Sequence, residues 1–359
     1  MTNESAERCD ASAERERFEA VDTIWHGDAP VYDERWPKQS ETFRVHQLNA
    51  NGLPFKDDHF LIDIYLQGIT SLQSDIQIAQ EINVNLTNPA IRQRFLRAMK
   101  RYDRLATIEL GFVKKQEYDN SEYRPGGVMT CWTQHGIHSG RVHTRESDKY
   151  AGRWSSLMMV RQNEQKTVFI KVCKGTKLDG TGIASQQSYR AMYRDGITAK
   201  NQRALFDKDI KQYIGNKYQS GQEVCLAMGA NTWSTSEEMN TFLAETGMVN
   251  VYDFIYEGKD HPTTFFRGKG CLDIFLITPG LKMLVTRMGY APFYAMGPYD
   301  HRFAYLDLTD KSYSPIKLMS PEPQCNKQQD DHKIHKALEE NDPKIKIKGA
   351  NRESSRAIT

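Results

Sequence analysis

Between residues 41 and 310 the sequence is cut into short apolar runs, and strand-like runs repeatedly follow one another with no helix between them. "TFRVHQLNA" reads as a strand that stops at "NGLP". "SDIQIAQEINV", "LATIELGFV", "GGVMTCWTQ", "RWSSLMMVR", "TVFIKVC", "EVCLAM", "CLDIFLIT" and "RFAYLDLT" read as further strands. Helical spacing appears in "DDHFLIDIYLQGITS", "NPAIRQRFLRAMKRY", "GIASQQSYRAMYRDG", "QRALFDKDIKQYIGNKY" and "TSEEMNTFLAETG". In the second of these, Asn88 is placed as N-cap and Pro89 in the first turn. A doubly wound sheet needs strand and helix to alternate. Direct strand successions predict instead an α/β protein of two mixed sheets packed together.

The flanks differ from this middle. Residues 1–40 are charged, rich in turn formers and without a period, and are expected to be a mobile arm. Residues 313–359 are polar and poor in aromatics, so they cannot bury enough area to order themselves. The expected folded domain is 41–312. A formal net charge of +2 gives no global field toward nucleic acid or a membrane. No apolar run approaches the roughly 18–20 residues of a membrane span. The N-terminus lacks the apolar core of a secretory signal, and the six cysteines show no CxxC spacing. An intracellular, reduced protein without structural zinc is the expectation.

Loops at strand ends are where α/β proteins place their chemistry. Here those positions carry Asn49 and Asn51 after "RVHQL", Glu81 after "DIQIAQ", Asn231 after "VCLAM", Asp273 in "CLDIFLI", and Asp300-His301 before "RFAYLDL". Singly each has a structural reading: an Asn as turn former, an Asp as a partner for a neighbouring loop. Their order is more informative. The sequence resembles the endonuclease/exonuclease/phosphatase superfamily, with the DNase I-like fold. The resemblance rests on "NANGL" (Asn49 to Leu53), Glu81 in "QEIN", "GAN" (Gly229 to Asn231), "PTTFFRGKG", "LDIFLI" and "YDHR" (Tyr299 to Arg302). A "PGG" (Pro125–Gly127), a "GRWS" (Gly152–Ser155) and Gln186-Gln187 resemble the retroelement-encoded subgroup.

The resemblance implies a four-layered sandwich of two mixed β-sheets flanked by helices. It implies Mg²⁺-dependent phosphodiester hydrolysis on nucleic acid, DNA in the first place, with Mn²⁺ as a substitute metal. Glu81 would hold the metal, and Asn49 would complete that shell or orient Glu81. His301 would stabilise charge on the phosphate, supported by Asp273, while Asp300 orients His301 or helps hold the metal. Asn231 would position the attacking water or a phosphate oxygen, and Asn51 and Arg302 would contact substrate. Arg97 and Arg101, on a basic helix, read either as a solvated face or as phosphate contacts.

Two positions depart from the family's pattern. The acid that usually activates water falls on Gly229, and a usual Tyr falls nearest Ile170. Loss of a general base costs about 10²–10⁴-fold in rate. A weakened nuclease therefore competes with an inactive protein that binds nucleic acid or a protein partner, and with a phosphatase on small phosphates. Glu237 and Glu238 are nearby acids, but on an expected helix. Residues 133–153, with His135, His138 and His143, read as a polar loop.

Overall fold

A computed structural model describes residues 26–27, 42–53, 72–86, 88–111, 126–133, 136, 141–148, 152–160, 164–174, 202–293 and 299–309. The chain divides into two units, Met1–Tyr313 and Ser314–Thr359, and all described residues lie in the first. The expected helices in 57–71 and 182–196, the tail, and all of the 1–40 stretch except His26–Gly27 lie outside the described residues.

The described chain forms two sheets. The first runs in the order β1 (His26–Gly27), β12 (Val285–Tyr290), β13 (Ala304–Thr309), β2 (Thr42–Asn49), β3 (Ile76–Gln80), β5 (Val128–Trp132), β4 (Thr107–Gly111). The second is β10 (Val249–Asn250), β11 (Asp273–Ile277), β9 (Glu223–Gly229), β8 (Lys166–Cys173), β7 (Trp154–Val160), β6 (Arg141–Ser147). Each sheet is mixed: β2–β3 and β8–β9 are parallel, and the other pairs are antiparallel. Helices α1 (Pro89–Tyr102), α2 (Gln202–Gln219), α3 (Glu237–Thr246) and α4 (Val251–Ile255), with a 3-10 helix at Pro279–Leu284, complete the described elements. No helix among the described residues is long and apolar enough to cross a membrane.

Local sequence accounts for the helix ends. Asn88 Oδ1 accepts from the Ala90 and Ile91 amides and caps α1, as the sequence predicts. Ile91, Phe95, Ala98 and Met99 of α1 pack with Leu48, Ala79, Met129 and Tyr305 on the outer face of the first sheet. Phe206, Ile210 and Ile214 of α2 and Met239 and Phe242 of α3 join the core cluster that includes the second sheet.

Period-2 alternation decides what enters the space between the sheets. Phe43 of β2 meets Phe169 of β8 across it, with ring centroids 5.2 Å apart. The inward residues are therefore Phe43, Val45, Gln47 and Asn49 on β2, Ile76, Ile78 and Gln80 on β3, and Phe169, Lys171 and Cys173 on β8. Along each strand this row turns from apolar to polar toward the C-terminal end. One end of the sandwich interior is thus a polar floor.

The stretch 133–153 is not simply a loop. Arg141–Ser147 pairs with β7, and its register shifts between Val142 and Thr144, beside His143. The bulge breaks the alternation that would have marked it as a strand. His135 and His138 lie outside the described residues. β12 was also missed, because "VTRMGY" carries little apolar alternation.

Candidate active site

Four segments converge on the polar floor. Asn49 ends β2, and Glu81 follows β3. Asp273 opens β11, and Asp300-His301 precede β13. Asn49 Nδ2 donates to Glu81 Oε1 at 3.1 Å. Asn49 Oδ1 accepts from the Asn51 amide at 3.0 Å, and Asn51 Nδ2 donates to Asp300 Oδ2 at 3.0 Å. His301 Nδ1 lies 2.7 Å from Asp273 Oδ2, and Asp273 Oδ1 accepts from Gln80 Nε2 at 2.7 Å.

The backbone here is held in an unusual state. Asn51, Glu81 and Asn231 all have left-handed φ, at 39°, 50° and 46°. Asn tolerates that region; Glu does so much less readily, at a cost of about 1–2 kcal/mol. Hydrogen bonds on both sides hold Glu81 there. Ala50 and Gly52 amides donate to the Gln80 and Glu81 carbonyls, and the Asn83 amide donates to the Gly126 carbonyl. Gly126 N returns a bond to Asn83 Oδ1 at 2.7 Å. The "PGG" glycines therefore brace the segment that carries Glu81. The "GRWS" segment is structural as well: Arg153 bridges Asp148 and Asp209, and Trp154 stacks on Tyr213 at 4.5 Å.

Electrostatics follow from burial. His301 is 9% exposed. Burial alone would lower its pKa, but the Asp273 carboxylate, by charge and hydrogen bond, with Asp300 and Glu81 adding, carries it above the ordinary value. Asp300 Oδ1 is buried with no hydrogen-bond partner among the described residues, so a carboxylate oxygen faces the cluster unsatisfied.

The second-sheet side is different in kind. Ile170 points away from this floor into the apolar core, because its neighbours on β8 face the other way. The residue on the site face is Lys171, fully buried, with Nζ donating to Gln47 Oε1 at 3.0 Å. Desolvation pushes its pKa down to about 8, against the pull of Asp273, Cys173 and Glu81. The sequence reading missed Lys171; the signal was its position, one residue past Ile170 on the opposite face.

Gly229 is not an empty position. A Cβ there would lie 2.2 Å from Nε2 and Oε1 of Gln80. The Gln80 amide fills the volume that a side chain at 229 would need. Asn231 donates from Nδ2 to the Lys174 carbonyl at 2.6 Å. Behind it the Lys174 ammonium is held by Asp207 and Glu238, and Glu238 also binds Arg203. Burial would raise the Glu238 pKa, but its bonds to Arg203 and Lys174 bring it down to about 2. Glu238 is thus a fixed anion that braces the Asn231 turn, and not a replacement base.

One expectation about a basic residue is corrected. Arg302 is buried; it donates to the Thr263 and Ala291 carbonyls and lies 4.1 Å from the Phe293 ring. Its guanidinium ties loops together and is not presented to a substrate. Arg97 and Arg101 are exposed on α1, which covers the outer face of the first sheet, so they are not brought to the inner-face cluster.

This arrangement is a DNase I-like α/β sandwich, and solved structures agree. The chain is similar to the AP endonuclease LMAP from Leishmania major, with 13% identity, TM-score 0.58, and coverage of 83% of this chain and 95% of that one. It is also similar to the human Nocturnin catalytic domain with bound sulfate anion, at 13% identity, TM-score 0.52, and coverage of 76% and 96%. No protein-family model and no curated protein matches the sequence.

Proposed function

We propose that the protein hydrolyses phosphodiester bonds of nucleic acid, DNA in the first place, with Mg²⁺ at Glu81. The observation that carries this reading is the convergence of Glu81, Asp273, Asp300 and His301 from separate segments onto one polar floor. The AP-endonuclease and Nocturnin likenesses support it through the fold. The "PGG" and "GRWS" segments support placement in the retroelement-encoded subgroup; Gln186-Gln187 lie outside the described residues.

The residues fit a hard divalent cation. Among the described residues no three His, Cys, Asp or Glu side chains form a metal cage. Mg²⁺ does not need one, since it keeps several waters and takes one or two carboxylates. Glu81 and the unsatisfied Asp300 Oδ1 would supply those oxygens, with Asn49 holding Glu81 in place. When bound, the metal would polarise the phosphate and stabilise negative charge on it. The chain's own groups do the rest. With Nδ1–H donated to Asp273, His301 keeps Nε2 for the phosphate, and its raised pKa favours the charged, donating form. Asn51 fixes Asp300.

The missing part is the base. Gly229 has no proton acceptor, and the Gln80 amide lies over it. Turnover by this site is therefore expected to be slow. The same observation favours a second reading, a nucleic-acid-binding protein without catalysis. Conversion of supercoiled plasmid to nicked circle in Mg²⁺ separates the two: the enzyme reading expects nicking by wild type and none by His301→Ala. Nicking that survives His301→Ala would show that this is not the reacting site. Calorimetric Mg²⁺ binding that disappears in Glu81→Gln supports the metal assignment whatever the rate.

A further inference from the structure

We propose that Trp233 is a stacking platform for an unpaired nucleobase next to the phosphodiester held at His301. The inference rests on the nucleic-acid reading above and specifies the form of the substrate: single-stranded or locally unpaired.

Trp233 lies two residues beyond Asn231 and is 56% exposed. Single exposed aromatics are ordinary on protein surfaces. This one differs in how firmly it is held. The Ala230 amide donates to the Leu272 carbonyl at 2.7 Å, and the Ser234 amide donates to the Cys271 carbonyl at 3.0 Å. Ser234 Oγ bonds His261 Nδ1 at 2.8 Å, and His261 Nε2 in turn pairs with Asp253. The turn that presents the indole is thus clasped on both sides of Trp233. The ring itself rests on Gly270: a Cβ there would meet Trp233 Cδ1 at 2.6 Å and Cγ and Nε1 at 2.9 Å. Glycine permits that close seating, so the indole is supported beneath and open above.

The support leads directly to the reacting end of the site. Gly270 O accepts from the Thr264 amide at 3.3 Å, closing a hairpin. In that hairpin Phe265 packs its ring 4.9 Å from the His301 ring and pairs with His301 as a β-bridge. Its tip carries exposed Arg267 and Lys269. One hairpin therefore joins His301, an open indole and two cations. Backbone-tracking positive charge with an aromatic face is the combination that binds single strands, because every base has a π-face. Arg267 and Lys269 would supply the phosphate contacts and the salt dependence.

The test measures binding, not turnover. Fluorescence anisotropy in EDTA would follow a short labelled single-stranded oligonucleotide and the same sequence annealed to its complement, with wild type, Trp233→Ala and Trp233→Phe. Loss of one base stack should weaken single-strand binding by Trp233→Ala on the order of tenfold, while Trp233→Phe stays within about twofold and duplex binding does not change. The exposed position makes a folding defect easy to exclude by circular dichroism. Equal losses on single strand and duplex, or no loss in Trp233→Ala, would overturn the inference and leave the hydrolytic reading standing. Binding of neither form by wild type would also overturn the inference, while plasmid nicking in Mg²⁺ would still decide the hydrolytic reading.

Discussion

The two sides of the polar floor teach different things. One set is hydrogen-bonded in two groups, Glu81–Asn49–Asn51–Asp300 from the first-sheet side and His301 with Asp273 of β11, at 2.7 to 3.1 Å. The other set, at the ends of β8 and β9, is Lys171, Cys173 and Gly229, with Gln80 reaching across from the first sheet. On the proposed reading, the acids that would hold a cation and the histidine that would donate to the phosphate are in place. The group that would accept a proton is not. The volume that a side chain at 229 would need is filled by the Gln80 amide. Such filling keeps the floor packed, since an unfilled gap between sheets would cost stability in proportion to its size.

The largest expected effect breaks the intact side. His301→Ala should reduce plasmid nicking by about 10²–10⁴-fold, the usual range for a positioned proton donor. If nicking stayed within a few-fold of wild type, the contrast between the two sides would collapse. The next effect probes the altered side. Gly229→Asp alone should not raise the rate. It should lower stability by about 1–3 kcal/mol, because its Cβ meets Gln80 and the core must give. Gly229→Asp with Gln80→Ala removes the obstruction and should raise nicking toward the gain of about 10²-fold or more that a restored base supplies. Urea melts and initial nicking rates check the pair. A faster, unperturbed single Gly229→Asp variant would show that Gln80 does not hold that volume.

These contrasts explain what the sequence could and could not disclose. The two-sheet architecture was legible because strand runs succeed one another directly and alternate with period two. The strand-end positions of Asn49, Glu81, Asp273 and His301 were legible because each follows, breaks or immediately precedes an apolar run. Gln80 and Lys171 were not. Their meaning depends on which residues of one sheet face which residues of the other, and a strand's pattern carries no register across a sandwich. Gln80 is the last residue of β3, and only its position over Gly229 gives it a role. Lys171 alternates with apolar neighbours along β8, and both faces of β8 are covered. Arg302 misled for the reverse reason: a terminal Arg in a motif reads as a substrate contact, while here it is consumed by the Thr263 and Ala291 carbonyls.

Lys171 gives the last and smallest test, and its sign is the informative part. Burial holds its pKa near 8, against an ordinary lysine value of 10.5. The folded state therefore disfavours the charged amine. Between about pH 8 and the unfolded value, the unfolded chain binds more protons, so stability rises with pH across that window. Below about pH 8 the full cost is present, roughly 3 kcal/mol from the size of the shift. Lys171→Met removes it, so the variant should be more stable than wild type at pH 7, by about 1–3 kcal/mol once the lost bond to Gln47 is set against the gain. That advantage should shrink as pH climbs past 8, since wild type then sheds its own buried charge. Urea denaturation at pH 7 and pH 9.5 reads both. A variant less stable than wild type at pH 7 would mean that the neighbouring carboxylates of Asp273 and Glu81 more than compensate the buried ammonium. Lys171 would then belong to the intact side, as its internal counter-charge. A gain in stability that shrinks on the alkaline side would instead mark Lys171 as a charge kept in the floor at a cost to the fold, which points to a use of that charge by the site.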